Sequence, residues 1–368
     1  MLLVLFLITG CAAQKEETGS GTTVSAAQGN TADVSQNTTI AAKTDVSNIS
    51  TAVYYAETRS INDNAPFPVT KILANLGDTY LVTAARFNNG IEYNTLGFAD
   101  KDFKQFTNFF DQASVSSASK YLCAAVNAQG QICVLLSGGT LEIYNYKNGA
   151  AALAETVDLG ARCLSGFDMV DHLYVTANRY VLTMQNGWRI LDTEGNIISD
   201  EMERNCAAAS AFDGDNLYVT ALKNDAVNFS VSYTLISKID CNSGGSIWTI
   251  QVPFESHFVE GIAADTTTGD LLVYSDDTVT RYNADGVSVG IELNLFTYEM
   301  RKTAMLSDIP PTVGNMFFDN GDLFFIMRQQ ANGSDPTYSL WKFERFTGDD
   351  ALAKQAANGK SKTLRQRS

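Results

Sequence analysis

The chain has 368 residues, 45% of them hydrophobic, so it can bury the core of one large all-β domain or of two ordinary domains. Its 27 glycines and 6 prolines are too few for a collagenous or wholly disordered chain. The formal net charge of −15 predicts no binding to nucleic acid, because an acidic surface repels a phosphate backbone.

The first predicted element is a lipoprotein signal over residues 1–11. The run from Met1 to Ile8 is apolar and too short to cross about 30 Å of hydrocarbon as a helix, but it suits the core of a secretion signal. The segment Leu7-Ile8-Thr9-Gly10-Cys11 resembles the bacterial lipobox, in which the cysteine thiol receives a diacylglycerol. This resemblance implies lipidation of Cys11 and anchoring to the outer face of the cell membrane, or to the outer membrane where two are present. The alternative is a buried N-terminal strand with a free cysteine.

The second predicted element is a flexible tether over residues 12–50. This segment is rich in Ala, Thr, Ser, Gln, Asn and Gly and contains no aromatic residue. It cannot bury enough apolar surface to offset the entropy of ordering it. We therefore predict a disordered linker that holds the folded body away from the membrane.

Residues 51–347 form the predicted folded body, in which short β-rich runs alternate with Gly, Asn and Asp turns. One unit, a turn followed by an apolar strand, begins at Gly77, Gly130, Asp171, Gly214, Gly269 and Gly321. Units repeated about every 40–50 residues are typical of propeller blades. The predicted fold class is all-β, a single β-propeller of six four-stranded blades, and the alternative is a pair of two-sheet sandwich domains.

A polar turn with glycine recurs in the second half of each unit. In its fullest copy, Asp240, Ser243, Gly244 and Trp248 match the Asp-x-x-Ser/Thr-Gly-x-x-x-Trp turn of quinoprotein-like repeats. The body therefore resembles quinoprotein-like and TolB-like β-propellers. This resemblance implies a structural repeat and neither a quinone nor oxidation chemistry.

The two ends of the body contain strand-like runs, Val53–Ala56 and Leu340–Phe343. Such runs could complete one shared blade, which would remove the exposed sheet edges that invite aggregation.

No catalytic motif is recognisable, so we predict a non-enzymatic protein without a cofactor or metal. The two histidines, His172 and His257, lack partners at zinc-ligand spacing. His172 falls in a predicted hairpin turn, where a surface position is expected. Cys123 and Cys133 could face each other across a hairpin, or could be small buried hydrophobes.

A ligand-binding face is predicted where the loops after the repeated strands gather at one end of the channel. Arginine forks suit carboxylates or sugar hydroxyls, which favours a small polar ligand or an acidic loop of a protein partner. The alternative is that these polar residues only solvate the loops. The candidate residues are Arg86, Arg179, Lys223, Asp276, Arg328 and His257.

The order of lipobox, linker and propeller is similar to the N-terminal region of large solute-binding lipoproteins of Gram-positive anaerobes. Residues 348–368 form a polar basic tail, and Gly359–Leu364 within it resembles the start of a further domain. The resemblance implies a part in nutrient capture, by a cell-surface binding or interaction module. The alternative is a propeller hydrolase, lyase or quinoprotein dehydrogenase with an unrecognised site.

Overall fold

The structure is a computed structural model that describes most of the predicted body. Cys11, the linker and the basic tail lie outside the described residues. The described residues are 53–59, 68–88, 91–112, 121–147, 149–165, 170–184, 187–202, 206–224, 232–252, 259–276, 278–294, 312–329 and 336–346.

Within these ranges, twenty-four strands form six antiparallel four-stranded sheets, the blades of a propeller. The first strand, β1 (Val53–Arg59), belongs to blade 6. Blades 1 to 3 contain, in order, β2 (Val69–Asn75), β3 (Thr79–Asn88), β4 (Ile91–Asp100), β5 (Phe106–Asn108); β6 (Tyr121–Val126), β7 (Ile132–Leu136), β8 (Thr140–Lys147), β9 (Ala150–Asp158); and β10 (His172–Val175), β11 (Tyr180–Met184), β12 (Gly187–Leu191), β13 (Ile197–Met202). Blades 4 to 6 contain β14 (Cys206–Phe212), β15 (Asn216–Asn224), β16 (Ser232–Asp240), β17 (Ser246–Gln251); β18 (Val259–Asp265), β19 (Asp270–Ser275), β20 (Thr278–Tyr282), β21 (Ser288–Asn294); and β22 (Thr312–Asp319), β23 (Asp322–Gln329), β24 (Thr337–Phe346).

Helical structure is limited to two short segments among the described residues. They are the α-helical turn α1 (Phe109–Gln112) and a 3-10 turn (Ala161–Leu164). No described helix is long and apolar enough to cross a membrane. The predicted all-β propeller of six four-stranded blades is confirmed.

Each blade is an antiparallel meander whose first strand is innermost, so loops alternate between the two ends of the ring. We call the end where the inner strands begin the upper end. The loops that join second to third strands are also at the upper end, because successive strands run in opposite directions. The turns that join first to second strands, and third to fourth strands, lie at the lower end.

The ring closes in two ways. As predicted, β1 completes the blade of β24, with Val53 opposite Phe346 and Ala56 opposite Phe343. A separate hydrophobic cluster also fills each of the six interfaces between neighbouring blades. The cluster between blades 6 and 1, for example, joins Phe324 to Val82. Because all six interfaces are filled, every blade packs against a neighbour on both sides, and its apolar faces are covered.

The polar turns predicted from glycine patterns do connect third to fourth strands. In the turn after β12, the Asp192 carboxylate accepts the backbone N–H groups of Glu194 and Asn196 at 2.9 and 2.8 Å. Gly195 has a φ of 83°, and a Cβ there would lie 2.7 Å from the backbone oxygen of Leu159. Local hydrogen bonding and a glycine that must stay small therefore determine the turn.

One of the six repeated units was assigned to the wrong strand. The unit that begins at Asp171 is the inner strand β10, whereas the other five are the second strands β3, β7, β15, β19 and β23. A turn followed by an apolar run describes either strand, because inner and second strands both contain buried apolar residues. The true second strand of blade 3 is β11, and its five residues are all buried.

Trp248 of β17 in blade 4 contacts the turn between β20 and β21 in blade 5. Its Nε1 donates to the backbone oxygen of Ala284 at 2.9 Å, and a Cβ at Gly286 would lie 3.0 Å from its ring. Trp248→Ala should therefore lower the free energy of unfolding by about 2 kcal/mol, since it removes a half-buried ring and an interblade hydrogen bond. Urea denaturation measures the loss. Val287→Ala, at a neighbouring exposed position, is the control, and equal losses for the two variants would contradict the assignment.

Candidate functional site

The inner strands of all six blades surround a central channel with a cavity of about 310 Å³. Much of the wall is apolar and includes Leu73, Ala124, Val175, Ala211 and Ile262. Polar side chains on this wall are therefore the exceptions. One is Asn315, whose Oδ1 accepts from the backbone N–H of Ile72 at 3.1 Å, and two polar groups lie towards the two ends.

At the upper end, β2 and the start of β10 meet across the ring. Lys71 Nζ donates to the backbone oxygen of Asp171 at 2.8 Å. The Asp171 side chain has one buried oxygen, Oδ2, that finds no hydrogen-bond partner among the described residues. Burial lowers the pKa of Lys71, an effect that Asp171 opposes, and burial raises the pKa of Asp171, an effect that Lys71 opposes. An acid and a base are thus desolvated side by side.

His172 lies in this cluster, and its predicted surface position in a hairpin turn is wrong. It is the first residue of β10 and lines the channel, with its ring parallel to that of Tyr174 at a centroid distance of 5.8 Å. Burial, and secondarily the charge of Lys71, hold the pKa of His172 well below its usual range. The imidazole is therefore neutral at physiological pH.

Ser210 of β14 lies within hydrogen-bonding distance of three side chains in this region. Its Oγ lies 3.3 Å from His172 Nδ1, 3.0 Å from the Tyr174 hydroxyl and 3.0 Å from Thr183 Oγ1. Within the described part of the chain, the side-chain partner of the His172 ring is this serine hydroxyl and not a carboxylate. The arrangement suits hydrogen bonding to a bound polar molecule. We call Lys71, Asp171, His172 and Ser210 the channel cluster.

A second polar group lies at the lower end, where β22 finishes. Asp319 Oδ2 accepts from Asn75 Nδ2 at 2.7 Å and from the Tyr80 hydroxyl at 3.2 Å. Lys101 Nζ also donates to Asn75 Oδ1 and lies 3.8 Å from the centroid of the Tyr80 ring. These side chains hydrogen-bond to one another, so this group stabilises the contact between blades 6 and 1.

The low pKa of His172 predicts a stability effect. The unfolded chain takes up a proton near pH 6.5, whereas the folded chain does so only at lower pH. Stability should therefore fall as the pH drops below 6.5, by up to about 1.4 kcal/mol per pH unit from this residue. His172→Gln should remove this contribution, whereas His257→Gln should retain it. Urea denaturation from pH 7 to pH 5 tests this, and equal pH dependence in wild type and His172→Gln would contradict it.

Three of the predicted ligand residues lie at the upper end. Lys223 is near the end of β15, Asp276 is exposed in the turn after β19, and Arg328 near the end of β23 donates from Nε to the Tyr338 hydroxyl at 3.3 Å. Arg86 lies near the end of β3, but its side chain is not among those described. His257 and Cys11 lie outside the described residues.

Arg179 is not at that end, so its grouping with the others is wrong. It occupies the turn between β10 and β11, at the lower end, and donates to the backbone oxygens of Asn178 and Asn242 at 2.8 and 3.4 Å. The error follows from the assignment of β10 as a second strand, because the loops after inner and second strands lie at opposite ends.

Cys123 and Cys133 do not face each other. The register of β6 and β7 pairs Cys133 with Ala125 and Cys123 with Leu135, and both thiols are free and buried. Burial raises the pKa of each to about 12, so neither is a reactive thiolate at neutral pH. They behave as the small buried hydrophobes of the alternative prediction.

The described side chains contain no group of three or more His, Cys, Asp or Glu residues arranged to hold a metal ion. No protein-family model and no curated protein matches the chain. Among solved structures, a protein of unknown function from Bacteroides caccae aligns with a TM-score of 0.40 and 10% identity, over 63% of this chain and 84% of that one. Hsv2 of Kluyveromyces lactis aligns with a TM-score of 0.41 and 11% identity, over 71% and 70%. Both similarities are too low to carry an argument about function.

Proposed function

We propose that the protein is a cell-surface binding module that holds a small polar ligand at the upper end of the propeller channel. The observation that carries the proposal is the channel cluster. It places a neutral histidine and a serine on the wall of a largely apolar cavity of about 310 Å³. Asp171 precedes His172 in the chain, and Lys71 bonds to the Asp171 backbone oxygen, so a desolvated acid and base lie beside that wall. A concave, mostly apolar site with a few convergent polar groups is the usual form of a small-molecule site.

The buried charges support binding rather than a purely structural role. A structural ion pair gains most when every polar atom is satisfied, yet Asp171 Oδ2 has no partner among the described residues. The position of Lys71, whose ammonium group bonds to a carbonyl rather than to a carboxylate oxygen, likewise leaves donor capacity for a ligand. Desolvated groups of this kind concentrate at functional sites.

Thermal-shift screening of the full chain with sugars, amino acids, short peptides and organic acids tests the proposal. At least one compound should raise the melting temperature, and Lys71→Met should weaken its binding at least tenfold. Lys104→Met, at an exposed lysine, is the matched control and should leave binding unchanged. No shift with any compound would contradict binding. A hit that ignores Lys71 but depends on Arg328 would place the site on the loops.

The anchor is a separate part of the proposal and rests on the resemblance of Leu7–Cys11 to a lipobox. Cells that express the protein should incorporate labelled fatty acid into it, and Cys11→Ser should abolish the labelling. Persistent labelling of that variant, or none in the wild type, would overturn lipid anchoring and leave the channel site unaffected.

A further inference from the structure

Blades 3 and 4 meet through a hydrophobic cluster that includes Val181, Ile190 and Leu217. At the upper end of this interface lies a crevice of about 60 Å³. Among the residues that line it are Asp171, Thr183, Trp188, Ser210, Thr220 and Lys223.

The crevice adjoins the channel cluster, because Ser210 lines both the crevice and the channel cavity. Its volume corresponds to a few atoms, since one water occupies about 10–15 Å³ by the same measure. It can therefore hold one edge of a small molecule whose remaining atoms occupy the larger channel.

The hydrogen bonds of the residues that line the crevice indicate which ligand group would bind there. The hydroxyls have partners, since Thr183 bonds to Ser210 at 3.0 Å and Thr220 donates to the backbone oxygen of Ala209 at 3.1 Å. The exception is the buried Asp171 Oδ2, which is an acceptor when the carboxyl is ionised. Leaving such an atom unpaired costs about 1–3 kcal/mol, and a donor on a ligand would recover that cost.

The charges around the crevice select against an ion. Asp171 and Glu201 line it on the acidic side, Lys223 lines it on the basic side, and Lys71 bonds to the Asp171 backbone. Two acids and two bases leave no net charge to attract a cation or an anion. A hydroxyl group donates a hydrogen bond without a charge, and Trp188 and Met184 add apolar wall for the carbon skeleton.

We propose that this crevice binds the hydroxyl-bearing edge of a neutral sugar or polyol, with Asp171 as the acceptor that selects it. The inference rests on the proposed function, since it names the ligand class of the same site.

Calorimetric titration of the full chain with matched sugars tests the ligand class. The neutral probes are glucose, galactose, xylose and mannitol, and the charged counterparts are glucosamine and glucuronate. At least one neutral probe should bind at least tenfold more tightly than either charged counterpart. Tighter binding of glucosamine or glucuronate, or no binding of any neutral probe, would overturn the inference.

Variants of Asp171 test the acceptor. Asp171→Ala should weaken binding of the neutral probe at least tenfold, and Asp171→Asn should weaken it less because an acceptor oxygen remains. Asp285→Asn, at an exposed turn residue, is the control. The melting temperature of each free variant shows that it is folded at the temperature of the titration, because loss of the Asp171 charge also removes the electrostatic partner of Lys71.

Unchanged affinity in Asp171→Ala would overturn the inference. A charged compound whose binding depends on Lys71 would likewise overturn it, yet would leave the proposed binding function standing.

Discussion

Arg281→Met should lower the free energy of unfolding by about 3–5 kcal/mol, because Arg281 is the shared partner of three carboxylates. Arg281 Nη1 lies 3.2 Å from Asp265 Oδ2 and 3.0 Å from Asp270 Oδ2, and its Nε lies 3.3 Å from Glu292 Oε2. The Glu292 side chain is only 1% exposed, and its other oxygen lies 2.5 Å from Arg345 Nε. Removal of Arg281 would leave buried negative charges facing one another.

Urea denaturation of Arg281→Met at pH 7 measures this loss. Lys104→Met is the control, because Lys104 and Asp102 form an ion pair whose side chains are 70% and 53% exposed. The control should change stability by about 0–1 kcal/mol. A loss below about 1 kcal/mol for Arg281→Met would show that the carboxylates find other partners.

Removal of residues 1–59 should destabilise the propeller on the order of 5 kcal/mol, because it removes the strand that closes the ring. β1 pairs with β24 over seven residues, from Val53 opposite Phe346 to Arg59 opposite Leu340. Each backbone hydrogen bond contributes about 1 kcal/mol net, and the freed edge of β24 would be open to pairing with other chains.

A truncation that removes only residues 1–50 is the matched control, since it deletes the predicted signal and linker but keeps β1. Its midpoint in urea should equal that of the longer chain. A synthetic peptide of residues 51–60 should partly restore the stability of the shorter chain. Equal midpoints for the two truncations would contradict closure by β1.

The fold was largely predictable because each turn is determined by its own residues. Asp192 and Gly195 fix one turn through local hydrogen bonds and a positive φ, and similar pairs recur in other blades. The mistake at β10 has the same origin. Thr176 to Arg179 form a turn without glycine, so the hairpin of β10 and β11 was not recognised and the inner strand took the place of the second.

The channel cluster was not predictable in the same way. Lys71, Asp171 and Ser210 lie in three separate stretches of mixed polar and apolar residues, and no spacing in the sequence relates them. Only the ring brings β2, β10 and β14 to one channel. A polar residue within an inner strand indicates a position on the channel wall, but this signal can be used only when the inner strands have been identified.

The most direct test of a ligand site in the channel is an NMR titration of the full chain labelled at histidine. The chain has two histidines, and His172→Gln identifies the resonance of His172. On addition of the compound that gives the largest thermal shift, the His172 resonance should move and saturate, because its ring lines the cavity beside Ser210. Movement of the His257 resonance alone would place the ligand on the loops, and movement of neither would show that the channel cluster does not bind it.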